Sequence, residues 1–580
     1  MRLLPALILC LGAAAPALAA PADDARFRTL TEREYAWAQN DSGGGEDDER
    51  IAPHLQDVRP AAQARRLEHL RQVMRELNAI PPARLSPDSA VDYAVYRFDL
   101  ETRIAALSFR DYEMPANSDS SFWSDLGYTA RRPFKTETDY RNWMAQLHEI
   151  PAYFSEQIAN MRAGAARGFT PPRVTLAGRD EAVAQAAQAK TAEQSFLYAP
   201  FKAMPASIPA ATQAALKAEA KRAIEGEALP AYRSLLTYLR DDYLPHTRTT
   251  LAAEALPNGK AYYAAQIKAY ATLDLTPDQI HAIGLAEVAK IHAEMLEVMK
   301  EADFDGDLPA FLTFLRTDPR FYAKTPQELL DRAAWTSKEV DRKIGLYVGR
   351  LPRRRFGIVP VPADIAPFYT AGRGGPGEYL VNTYNLPSRP LYQLPALTLH
   401  ESAPGHAFQI PLAAENKTAP KFRQTLYISA YGEGWALYCE RLGDEMGIYE
   451  TPFERFGMLS YQMWRAARLV VDTGIHHKGW TRDQALAFLH DNTALSDHEI
   501  GTEVDRYISW PGQALSYYLG EMAIRQGRAK AEAALGPRFN IRAFHDAVLQ
   551  LGSVPLPVLT ARIDRFIAEG GKGPYPDEEE

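Results

Sequence analysis

The chain has 580 residues and a formal net charge of −8, with 65 lysines and arginines set against 73 aspartates and glutamates and no basic block. That balance excludes the electrostatic footprint of a nucleic-acid binder. Without a leader about 560 residues remain, enough for a deep core in one large domain or two lobes, and no later apolar run approaches the roughly 20 residues that span a membrane.

Residues 1–19 read as an export signal: Arg2 in a short basic start, an apolar run from Leu3 to Ala15, and Ala17-Leu18-Ala19 as a small-x-small cleavage site. Cleavage near Ala19 predicts a periplasmic or secreted protein. Cys10 fits lipid attachment poorly, because Leu9 stands where a small residue is wanted. Only Cys439 then survives, so no intramolecular disulfide can form.

Asp41 to Arg50 is a Gly-rich acidic loop. Residues 61–77, 88–106, 136–164, 210–242, 276–302 and 325–349 carry apolar side chains at spacings of three and four, which predicts helices and a mainly α fold. Thr276-Pro277-Asp278-Gln279 and Thr325-Pro326-Gln327-Glu328 are helix starts, each with a capping hydroxyl, a proline at the first helical position and a side-chain acceptor behind it. A soft boundary near Leu256-Pro257-Asn258-Gly259 divides an N-terminal helical lobe, 20–256, from a half that holds every chemical motif, 257–570, before a polar tail, 571–580, expected to be disordered.

Gly374-Gly375-Pro376-Gly377 is a turn feeding a short β-prone run, Glu378 to Thr383, that includes Tyr379 and Asn382. His400-Glu401-Ser402-Ala403-Pro404-Gly405-His406 then offers two imidazoles and a carboxylate, the groups that zinc hydrolysis needs. The histidines are six apart rather than four. On an ideal helix that separation turns about 600° and leaves the rings roughly 120° apart. Pro404 also meets the carbonyl of His400, so the sequence predicts a break or bulge that returns His406 to a shared metal. The alternative is a helix that ends at Pro404-Gly405 with two unrelated histidines.

Glu433, 27 residues after His406, is a candidate third ligand at the start of a following helix, across a loop around Lys417 to Lys421. Glu440, seven further on and on nearly the same face, is a rival ligand, a partner to a ligating histidine, or a surface pair with Arg441 or Lys421.

HESAPGHAFQ and EGWALYCE, with GGPGEYLVNT at 374–383, DTGIHHKGWT at 472–481 and RYISWPGQALSYYLGE at 506–521, resemble the bacterial family catalogued as domain of unknown function 885. The motif order is similar to that of helical zinc peptidases typified by thimet oligopeptidase and angiotensin-converting enzyme, although the two extra residues between the histidines depart from them. The resemblance implies a two-lobed fold with a deep cleft, one zinc on His400, His406 and Glu433, and Glu401 as general base. It implies a substrate backbone adding to the free edge of a strand at Tyr379 to Thr383. It also implies an oxyanion donor on a late helix, where Tyr517 matches the tyrosine position and Tyr507 stands where histidine is expected. His476 and His477 could donate to substrate or form a capped turn, and Arg465, Arg468 and Arg506 could hold a terminal carboxylate. The expected function is a zinc metallopeptidase acting on short peptides. The alternatives are a zinc amidohydrolase or esterase on a non-peptide substrate, and a non-catalytic peptide- or metabolite-binding protein.

Overall fold

The computed structural model describes residues 21–42, 50–118, 120–363 and 365–575. The segment expected to be an export leader, with Cys10, lies outside them, as do most of the acidic loop and the last five residues. The described chain is mainly helical, and the expected helical stretches appear as Pro60–Asn78, Pro87–Phe109, Glu137–Ala166, Ala210–Tyr243, Pro277–Glu301 and Pro326–Lys343. Both proposed starts are capped. Thr276 Oγ1 accepts from the Gln279 N–H while Gln279 Oε1 accepts from the Thr276 N–H, and Thr325 Oγ1 accepts from the Glu328 N–H. The stretch from Ala210 stays helical past Pro230 because a wide turn at Ile224–Ala228 precedes it, and a second wide turn at Leu239–Tyr243 precedes Pro245.

The elements that build the site follow in chain order: α1 (Phe122–Arg131), α2 (Pro277–Glu301), strands β1 (Gly357–Pro360), β2 (Gly372–Gly375) and β3 (Glu378–Val381), then α3 (Leu394–Glu401), α4 (His406–Ala414), α5 (Ser429–Glu445), α6 (Pro452–His476), α7 (Asp497–Ser509) and α8 (Ser516–Leu535). One apolar cluster lies among residues 51–243 around Trp143, Phe154 and Tyr232. A larger one includes Val95 and Phe169 and otherwise runs from Ala253 onward through α2, α3, α5, α6 and α8. The long helix α6 is buried from Phe456 to His476 and forms the floor against which α2, α3 and α5 pack. Helices α5 and α8 touch backbone to backbone: a Cβ on Gly434 would stand 2.5 Å from the Gly520 carbonyl carbon, and one on Gly520 would stand 1.9 Å from the Ala430 oxygen. This contact sets Glu433 and Tyr517 at a fixed mutual depth.

The sheet order is β1-β3-β2, with β3 parallel to β1 and antiparallel to β2. The expectation of a free edge at Tyr379 to Thr383 is therefore corrected, since β3 is the middle strand and both its sides are paired. The edge beside the histidines belongs to β2. The Asn382 N–H bonds the Ala371 carbonyl, so by the alternation of an antiparallel ladder the backbone groups of Gly372 and Gly374 point away from β3.

Candidate metal centre

Helix α3 ends at Glu401 and α4 begins at His406, with Ser402 to Gly405 forming a tight connection that contains a cis Ala403–Pro404 peptide. The Gly405 N–H returns to the Leu399 carbonyl at 3.1 Å, and the indole N–H of Trp435 donates to the Pro404 carbonyl at 2.7 Å, tying the turn to α5. No side chain fits at Gly405, where a Cβ would lie 1.9 Å from the His400 oxygen. This interruption absorbs the two extra residues, and the imidazole rings of His400 and His406 come to 4.9 Å between centroids at an angle of 84°.

Glu433, in the second turn of α5, completes the group. Its Oε2 lies 3.3 Å from His400 Nε2 and 3.2 Å from His406 Nε2, and one ligand atom from each of the three residues falls within 4.8 Å of the others. Bonds of about 2.0–2.1 Å in a tetrahedral arrangement separate neighbouring donors by roughly 3.3 Å, which is the spacing of each imidazole nitrogen from the Glu433 oxygen. The tautomer fits as well. Nδ1 of His400 is 2.7 Å from Glu440 Oε1, and because a carboxylate only accepts, that nitrogen donates, which leaves Nε2 as the ring atom turned to the centre and to Glu433. Glu440 is fully buried and takes the position of a partner to a ligating histidine, not of a surface ion pair.

Burial disfavours a charged His400, yet its hydrogen bonds to Glu433 and Glu440 and the charge of Glu401 hold its pKa up at about 10. Burial likewise opposes charge on Glu433, and the two histidines still hold it well below the usual carboxylate range. His400 and Glu433 thus gain more from charge compensation than they lose in desolvation.

Glu401 follows His400 but turns elsewhere. Its Oε2 accepts the Gly374 N–H from the β2 edge at 2.6 Å. Strand and helix meet so closely that a Cβ on Gly374 would stand 1.7 Å from the Glu401 backbone oxygen. Tyr517 lies nearby, its ring 6.4 Å from that of His400 and inclined by 18°, and its hydroxyl accepts from Arg506 at 3.1 Å. Arg468 covers the Tyr517 ring at 4.3 Å.

Several expected substrate contacts give way. His476 is fully buried, with Nδ1 accepting the Ala253 N–H and Nε2 donating to the Tyr507 carbonyl, and burial pushes its pKa down to about 3. Asn382 donates to the carbonyls of Ala366, Tyr369 and Thr370 and accepts from the Tyr384 N–H, bracing a turn. Tyr379 is buried beneath α3 with its hydroxyl 3.4 Å from Thr398 Oγ1. The Tyr507 hydroxyl is taken by Trp464 and Arg468. The arginines are also engaged: Arg468 with Glu503, Arg506 with Glu503, Gln513 and Tyr517, and Arg465 stacked on Trp464 with Glu440 at 3.6 Å. His477 pairs with Glu254.

Two residues without a sequence signal do reach the site. Tyr427, on the segment before α5, donates to Glu433 Oε1 at 3.1 Å while 46% exposed. Gly374 orients Glu401 through its backbone, which no side-chain pattern reveals.

Fold and site define a mainly helical protein with a His-His-Glu group that could hold a metal ion and a second carboxylate beside it. The chain belongs to the bacterial family of unknown function DUF885, whose model matches residues 41–563. It is similar to a solved structure described as a "putative lipoprotein" from Colwellia psychrerythraea, with 26% identity, a TM-score of 0.85, and 94% of this chain and 99% of that one covered. A protein of Shewanella oneidensis with the same description and unknown function shares the fold at 18% identity, with a TM-score of 0.65, covering 93% of this chain and 99% of that one. No curated protein matches the sequence. Among the described residues no helix is long and apolar enough to cross a membrane.

Proposed function

We propose that the protein is an exported zinc-dependent peptidase that hydrolyses short peptides. The observation that carries this reading is the donor set His400, His406 and Glu433 at zinc spacing, with Glu401 alongside it and turned to a different partner. A purely structural site closes all four positions with protein ligands and has no use for an adjacent base. Zinc, when bound by His400 Nε2, His406 Nε2 and Glu433 Oε2, supplies Lewis acidity toward a carbonyl and toward water.

The protein's own groups then have distinct tasks. Glu401 accepts the proton of the attacking water and hands it to the leaving amine. The Gly374 N–H holds that carboxylate in place. Tyr517, whose oxygen accepts from Arg506, keeps its own proton free to donate to an oxyanion. The Gly372 backbone groups and the Gly374 carbonyl, which point away from β3, offer an edge to which an extended peptide can add, and the two-lobed cleft that the family resemblance implies would keep a folded chain from it. The resemblance of the motif order to that of thimet oligopeptidase and angiotensin-converting enzyme, apart from the two extra residues between the histidines, favours the same chemistry. The leader at residues 1–19 and the lipoprotein description of the Colwellia relative support a location in the cell envelope.

The test is metal analysis of the purified protein together with mass spectrometry of a mixed-peptide library digested by the wild type and by Glu401→Gln. Zinc near one per chain, with cleavage by the wild type alone, is expected. Absence of zinc, or no cleavage of any peptide, refutes the proposal.

A further inference from the structure

The arginines that the sequence offers for a substrate carboxylate, Arg465, Arg468 and Arg506, are turned to internal partners. Arg373 is different. It lies on β2, the edge strand, one residue from Gly374, whose N–H binds Glu401 at 2.6 Å. Gly372 and Gly374 face α3, where a Cβ on Gly374 would strike Glu401, so by strand alternation the Arg373 side chain leaves the opposite face of the sheet. It is exposed, it makes no ion pair with a carboxylate among the described residues, and its polar partner is the Tyr369 hydroxyl. The charge of Glu401 also helps to hold the guanidinium protonated.

A guanidinium beside one phenol, in no ion pair with a carboxylate among the described residues and one strand residue from the Gly374 that holds the candidate base, is arranged to take a carboxylate in a paired hydrogen-bonded geometry. Strand residues rise about 3.3 Å, so a peptide paired with this edge and opened beside Glu401 places only its next residue or two near Arg373. We propose that Arg373 is a specificity-determining residue that binds a substrate carboxylate within about two residues of the cleaved bond, making the substrates short peptides cut near a free C-terminus. This rests on the peptidase reading above and deepens it.

The same chemistry could come from the α-carboxylate or from an Asp or Glu side chain. The experiment therefore compares three versions of one cleavable peptide: the free acid, the C-terminal amide, and the amide with Glu near its end. Each is assayed with wild type, Arg373→Gln and Arg373→Lys, with circular dichroism as a check on folding. The wild type is expected to favour the free acid over the plain amide by about 10- to 100-fold in kcat/KM, the range for a charge-assisted pair. That ratio should fall toward one in Arg373→Gln and recover in part in Arg373→Lys. Equal preference for the Glu-bearing amide supports the site with a side chain as the source. Hydrolysis with no acid preference, or with a preference unchanged in Arg373→Gln, overturns this inference and leaves the peptidase reading standing. No hydrolysis of any of the three overturns both.

Discussion

Replacing Glu440 by Gln keeps the side chain's shape and removes its charge. Two neighbours feel the change. The first is His400, whose Nδ1–H donates to Glu440 Oε1 at 2.7 Å in a fully buried contact. A carboxylate behind a ligating imidazole raises the basicity of the other nitrogen and fixes the ring, and its loss typically weakens metal binding about 10- to 100-fold, or about 1.4–2.7 kcal/mol. The second is Arg465, only 4% exposed, with Nη2 at 3.6 Å from Glu440 Oε1 and with Nε and Nη1 lacking a hydrogen-bond partner among the described residues. A buried cation stripped of its counter-charge costs about 3–5 kcal/mol, and stacking on Trp464 and Tyr461 offsets a part of this. Zinc affinity from competition with a chelating dye, and urea unfolding in the presence of a chelator, read the two effects separately. Glu440→Gln should bind zinc more weakly by one to two decades, and the metal-free variant should also be less stable than metal-free wild type. His400→Ala and Glu433→Gln, which each remove a donor, should lose zinc more completely. Wild-type affinity in Glu440→Gln refutes the positioning role, and a loss as complete as in His400→Ala makes Glu440 a ligand.

Glu401→Gln should keep its zinc and lose peptide hydrolysis by about 10²–10⁴-fold, and zinc loss measured in that variant would make Glu401 a ligand instead of a base. Tyr517→Phe should lower kcat by about 10²–10³-fold with little change in KM or metal content. Tyr427→Phe, which deletes the donor to Glu433 Oε1, should act mainly on zinc affinity, so kinetics and metal titration on the pair distinguish a donor to the oxyanion from a donor to a ligand. His545 is buried with Nδ1–H donating to the Tyr347 carbonyl and Nε2 accepting from Tyr438, and burial pushes its pKa down from 6.5 to about 3. A depressed imidazole contributes stability above about pH 6.5 that is lost as pH falls toward 3, at about 1.4 kcal/mol per unit. The stability advantage of wild type over His545→Gln in urea should therefore shrink by roughly 2 kcal/mol between pH 6.5 and 5, and a constant difference would contradict a neutral buried ring.

What could be read in advance was set by local chemistry. Helices such as Pro277–Glu301 follow from a 3.6-residue apolar period and a Thr-Pro start, both complete within one segment. The break between His400 and His406 was legible for the same reason: Pro404 and Gly405 are a local instruction, and the tight turn answers it. Glu433 and Glu440 were legible as a pair because two helical turns separate them, but which one faces the histidines' outer nitrogens depends on how α5 packs on α3. The place of β3 in the sheet was not legible, because strand order is fixed by a partner more than 20 residues upstream, β1, and not by the composition of Glu378–Val381.

The charged residues show the limit most clearly. Arg465, Arg468, Arg506 and Arg373 are chemically identical in sequence, and their availability is decided by which carboxylates the folded chain brings to them. Glu503, from α7, meets both Arg468 and Arg506 of different helices, and Glu440 comes near Arg465. Arg373 escapes because it sits on a four-residue edge strand whose neighbours along the chain are glycines, and because the nearby carboxylate of Glu401 is held by the backbone of Gly374. A free cation at such a place persists without a protein partner only because it is exposed enough to remain hydrated, and that hydration is what an incoming carboxylate must displace. The same solvent access that leaves Arg373 without an ion-pair partner among the described residues leaves its guanidinium open to an incoming carboxylate.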